Sequence, residues 1–123
     1  MNIVNRNSVP EFVTKDTSII REILAPRNSS LVRQSLAEAR LPAGASTQAH
    51  YHPNTEELYY VLGGTGRMAI EDQSQVVGLG DAIAILPGQR HQINNTGTSD
   101  FVFLCCCVPA YADADTVMCE SLL

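Results

Sequence analysis

Glycine and proline cut this chain into short pieces, and that punctuation narrows the available folds more than any other feature. They fall at Pro26, Pro42, Gly44, Gly63, Gly64, Gly66, Gly78, Gly80, Pro87, Gly88, Gly97 and Pro109. Between them lie short runs rich in Val, Ile, Leu, Tyr and Phe. Short strands at near-regular spacing, separated by turn residues, mark an all-β sandwich or barrel. The runs predict strands over Ile19–Leu24, Leu58–Leu62, Arg67–Glu71, Ala82–Leu86, His91–Asn94 and Phe101–Val108. Met68 and Ile70 alternate with Arg67, Ala69 and Glu71, the period of a half-buried strand. Phe101–Val108 is apolar on both faces, which predicts a central strand covered on both sides. Ile19–Leu24 is also apolar on both faces and reads as an edge strand.

One segment pulls the other way. Ser30–Leu41 has helix-favouring residues and places Leu31, Leu36 and Ala39 near one helical face. A barrel needs a strand there. We expect a strand, because tertiary pairing overrides local propensity.

At 123 residues the chain has the length of one domain, and no linker or repeat divides it. Apolar residues make up 45% and charged residues 17%, the composition of a soluble globular protein. The net charge of −5 and the absence of any basic run exclude a nucleic-acid partner. The longest apolar run, Phe101–Ala110, is about half the length that crosses a bilayer, so no membrane association is expected. Four cysteines without an export signal predict reduced thiols and a cytoplasmic location.

His50 and His52 stand two residues apart, and on a strand such residues share a face. Glu57 follows a short turn-forming stretch and opens the next strand. His91 comes just past Pro87 and Gly88, at the start of another. Three imidazoles and a carboxylate suit one divalent ion of Mn, Fe, Co, Ni, Cu or Zn. A His-x-His pair alone is a weak signal and is more often an ordinary pair of surface or core residues. Here every histidine of the chain fits one scheme, with flanking glycines at fixed offsets.

Those offsets carry a family resemblance. The run Gly44-x5-His50-x-His52-x4-Glu57-x6-Gly64 resembles the first cupin motif over its full length. Gly80-x5-Leu86-Pro87-Gly88-x2-His91-x3-Asn95 resembles the second, with Leu86 where that motif usually carries proline. The resemblance implies an all-β fold, a single double-stranded β-helix or jelly-roll barrel of antiparallel strands. It implies a cupin domain over 1–123, with a barrel at about 18–109, an N-terminal arm over 1–17 and a C-terminal tail over 110–123. It also implies a metal held by His50, His52, Glu57 and His91, with Glu56 left in solvent, and a homodimer, since small cupins commonly pair. The dimer is expected at the edge strand Ile19–Leu24. The rival is a monomer whose acidic tail folds back over that edge.

Strand parity places Gln48, Tyr59, Val61 and Ile93 on the metal side, with Met68, Ile70, Phe101 and Phe103 as apolar walls. Gln48 and Tyr59 are the candidate catalytic residues, although orienting a ligand is an equal role for them. Arg67 and Arg90 read as solvated. Neighbouring cysteines in Cys105–Cys107 point to opposite strand faces, so the run reads as buried small hydrophobes rather than a chelate. The expected function is a metal-dependent enzyme acting on a small oxygenated organic molecule by isomerase, cyclase, decarboxylase or oxygenase chemistry. The alternatives are a non-catalytic module that binds a sugar, another small molecule or only the metal, and a purely structural barrel.

Overall fold

The computed structural model describes residues 1–123, and they form eleven strands and three 3₁₀ turns. In chain order the strands are β1 (Phe12–Val13), β2 (Ile19–Leu24), β3 (Ser35–Leu41), β4 (His50–Tyr51), β5 (Glu56–Gly63) and β6 (Thr65–Ile70). They continue with β7 (Gln73–Gly78), β8 (Ala82–Ile85), β9 (His91–Asn95), β10 (Phe101–Val108) and β11 (Val117–Met118). Two antiparallel sheets face one another, ordered β1-β2-β3-β10-β5-β8 and β11-β4-β9-β6-β7. This is the expected all-β jelly roll. No helix is long and apolar enough to cross a membrane.

The core lies between the sheets because each long strand alternates. Along β5, Glu57, Tyr59 and Val61 are buried, while Leu58, Tyr60 and Leu62 face out. Along β10, Phe101, Phe103, Cys105 and Cys107 point inward. Leu41, Met68, Val77, Ile85 and Ile93 complete the apolar packing. Gly64, between β5 and β6, has φ +84°, and a Cβ there would meet the Asp100 carbonyl oxygen at 2.7 Å. Only glycine allows that conformation and that approach together.

Several expectations need correction. The segment Ser30–Leu41 is a strand only from Ser35, where β2 and β10 pair with it on both sides. Strand β10 is central, between β3 and β5, but it is not covered twice. Val102, Leu104 and Cys106 on its outer face are half-buried and Val108 is exposed. Strand β2 is not a bare edge, since β1 pairs with Ile19 and Ile20 through Val13 and Phe12. The tail does not cover that edge. It crosses the other sheet, where β11 pairs with β4 and the amides of Leu122 and Leu123 donate to Gln92 Oε1.

Candidate metal centre

Antiparallel pairing brings the three histidines together. His50 lies directly opposite His91 in the β4–β9 register, and His52 follows immediately after β4. All three are buried, and one potential ligand nitrogen from each falls within a cluster 4.8 Å across. That donor set could hold a metal ion.

Backbone carbonyls orient each ring. His50 Nδ1 meets Gln48 O at 2.8 Å, His91 Nδ1 meets Gln89 O at 2.9 Å, and His52 Nδ1 meets Asp115 O at 3.0 Å. A carbonyl only accepts, so Nδ1 carries the proton in each ring and Nε2 keeps its lone pair for the centre. This is the outer-shell arrangement that fixes tautomer and direction for imidazole ligands.

Glu57 approaches two of the histidines from the other sheet. Its Oε1 lies 3.4 Å from His52 Nε2 and 3.5 Å from His91 Nε2. Its Oε2 accepts the Cys107 thiol at 3.1 Å. Burial opposes the charge on Glu57, but the two imidazoles outweigh it and hold the carboxyl far below the ordinary range. Burial also opposes charge on His52, yet the Glu57 carboxylate raises its pKa. His50 moves the other way, lowered by burial and by neighbouring His91.

Two atoms of this site are buried without any hydrogen-bond partner, Glu57 Oε1 and His91 Nε2. A buried acceptor left unpaired costs ~1–3 kcal/mol, so such atoms demand an explanation. An ion supplies one. Two donors bound to one ion at ~2.1 Å stand about 3.0 Å apart at right angles and about 3.4 Å apart in a tetrahedron. The Glu57 separations fit that range.

The pocket beside the centre opens between β3, β5, β10 and the N-terminal arm, with a cavity volume of about 40 Å³. Ala37 and Ala39 on β3 are small, which leaves this space unfilled. Tyr59 faces it as expected, and burial pushes its phenol well above the ordinary value. Ile93, Phe101, Phe103 and Met68 are buried as expected, whereas Ile70 is half-buried. Gln48 is exposed and does not line the pocket. Strand β4 is only two residues long, so alternation does not run back from His50. Thr47 and Ala49 are buried in its place. Glu56 is exposed. Arg90 is 52% exposed and pairs with Glu71 at 2.7 Å, and Arg67 donates to the Ser74 hydroxyl at 2.9 Å.

Sequence reasoning missed two contributors. Asp16, on the turn between β1 and β2, lines the pocket and brings Oδ2 within 3.7 Å of His50 Nε2. Asp115 belongs to the tail and supplies the carbonyl that orients His52. Neither residue lies in a spacing motif, and no local pattern marks them.

The cupin domain family profile matches residues 37–107, which spans β3 to β10 and both motifs. An uncharacterised protein of Methanocaldococcus jannaschii is 42% identical over 114 residues, covering 93% of this chain and 91% of its own. An oxalate-binding protein of Thermotoga maritima is 35% identical over 68 residues, 55% of this chain and about half of that protein (56%). Among solved structures, the polyketide cyclase RemF from Streptomyces resistomycificus superposes with a TM-score of 0.83. It has 21% identity, and the match covers 98% of this chain and 87% of that one. With the profile matched over more than half its length and the jelly roll in place, this chain belongs to the cupin family.

Proposed function

We propose that this protein is a metal-dependent enzyme acting on a small oxygenated organic molecule, with one divalent ion held by His50, His52, Glu57 and His91. The unpaired, buried Glu57 Oε1 and His91 Nε2, 3.5 Å apart beside the three-histidine cluster, carry this reading. When bound, the ion supplies Lewis-acid polarisation or a redox centre, according to its identity. The chain supplies the rest. The carbonyls of Gln48, Gln89 and Asp115 fix the imidazoles, Cys107 fixes the carboxylate, and the apolar wall of Ile20, Ala39 and Phe103 excludes water. The Tyr59 phenol, kept protonated by burial, is a hydrogen-bond donor facing the pocket.

The second reading is a binding module, which the relative named for binding oxalate favours. Two further points belong to the proposal. Four unpaired cysteines suit a reducing, cytoplasmic setting. The exposed apolar outer face of the larger sheet suits a homodimer.

Metal analysis of tag-free protein tests the site. About one equivalent of metal per chain is expected, and chelation should lower the melting temperature, because the ion binds the folded state. His52→Ala should lose both the metal and that stabilisation while remaining a folded barrel. A melting temperature unmoved by chelating demonstrably loaded protein would sink the coupling of metal to stability, and tag-free protein without metal would sink the metal reading. NMR of the loaded protein with a panel of hydroxy and keto acids separates the two roles, since binding without turnover across the panel selects the module.

A further inference from the structure

We propose that Asp16 is a substrate-binding residue of this centre, standing outside the ligand shell and accepting a hydrogen bond from a hydroxyl next to the substrate oxygen that meets the ion. This rests on the metal-dependent reading above. Asp16 lies outside both histidine motifs and outside the stretch matched by the family profile.

The turn that carries Asp16 is held from several sides. Thr14 N–H donates to Ser18 O at 3.0 Å, Thr17 N–H donates to Thr14 O at 3.0 Å, and Gln48 N–H donates to Asp16 O at 2.8 Å. Thr17 sits at φ 77°, in the left-handed region that β-branched residues avoid. A strained residue persists only where its surroundings over-determine it, and such positions cluster at functional sites.

The carboxylate is itself fixed through one oxygen. Oδ1 accepts from Ser18 N at 2.9 Å, Ser18 Oγ at 2.6 Å and Thr14 Oγ1 at 2.7 Å. Oδ2 is left facing the pocket, 3.7 Å from His50 Nε2, on a side chain only 13% exposed. That oxygen keeps free lone pairs and can accept from a molecule in the pocket.

The distances also separate Asp16 from the ligands. Glu57 approaches His52 and His91, whereas Asp16 approaches only His50. The His52 and His91 nitrogens lie more than 4.0 Å from the Asp16 oxygens. A fifth ligand on an ion with ~2.1 Å bonds would stand about 3 Å from every ligand except the one opposite it. Asp16 fails that condition toward two histidines, so it belongs just beyond the shell. There it can accept a hydrogen bond from a hydroxyl, but it cannot favour an ether or a plain carboxylate in that place. The substrate class is therefore a small α-hydroxy acid or hydroxy ketone, its carbon skeleton against Phe12, Ile20 and Phe103.

The test uses full-length protein loaded with Co(II), with metal content measured before each titration. Glycolate, methoxyacetate and acetate are titrated in turn, following the cobalt absorption band and the heat of binding. Wild type should prefer glycolate over the other two by about tenfold or more, since a hydrogen bond to a charged acceptor is a strong one. Asp16→Asn should keep one ion per chain and lose that preference, and Asp16→Ala should do the same. Equal preference in wild type and variants overturns the proposal. Loss of cobalt from Asp16→Asn overturns it too, because Asp16 would then be a ligand. Failure of wild type to take up cobalt would strike the metal reading itself, a distinct result.

Discussion

At the scale of single residues, Cys107 shows how one side chain can decide what another is able to do. Its thiol donates to Glu57 Oε2, which turns Oε1 toward the histidines. Burial and the Glu57 charge push the thiol pKa far up, so it stays protonated and stays a donor. Cys107→Val would leave Oε2 buried without a donor, at a cost of about 1–3 kcal/mol. Metal affinity should fall by about tenfold or more, as is usual when an outer-shell partner is lost. Cys107→Ser restores a donor and should recover most of that affinity. Calorimetric metal titration checks both, and equal affinity for Val and Ser would refute the orienting role. The sequence could place Cys107 on a strand but not opposite Glu57, because the partner is set by β5–β10 register. The histidines were legible for the opposite reason: two of them share a strand face within three residues.

At the scale of elements, pairing decides more than propensity. Ser35–Leu41 is a strand despite its helix-favouring composition, since β2 and β10 both offer it backbone partners. Strands β4 and β11 are two residues each and have no pattern to read; β11 exists through pairing with β4, and β4 through pairing with β11 and β9. The tail was legible only as acidic, yet it braces the site. Asp115 accepts from the amides of Asn54 and Thr55 through its carboxylate, at 3.2 and 3.0 Å, while its carbonyl orients His52. Asp115→Ala frees those two amides and loosens the turn that leads from His52 to Glu57. We expect a loss of about 1–2 kcal/mol in stability. Metal binding should weaken in parallel, because the backbone carbonyl that orients His52, which the variant keeps, is no longer held in place by the Asp115 side chain. Thermal melts with and without metal check this, and a variant with unchanged metal affinity would show that the tail only packs.

At the scale of the whole molecule, the barrel leaves one face unfinished. On the outer side of the larger sheet Leu58, Tyr60, Leu62 and Val108 are 45%, 40%, 43% and 46% exposed. Val102, Leu104 and Cys106 lie half-buried among them. Apolar runs on both faces of these strands were readable from the sequence, and what they cover was not, since the expected edge at Ile19–Leu24 is already paired by β1. Contiguous apolar surface of this kind marks an interaction site. A second copy suits it, because a two-fold contact sets each apolar patch against itself. The net charge of −5 on each chain opposes association only at long range, where salt screens it within about 8 Å. Light scattering at micromolar concentration should therefore give twice the 13.3 kDa chain mass. Replacing Leu58 and Leu62 together with lysine buries opposing charges in that contact and should give a monomer. The same variant should keep the metal, because both side chains point away from the histidines. A wild-type mass near one chain would rule the dimer out, and a dimeric lysine variant would move the interface to another face.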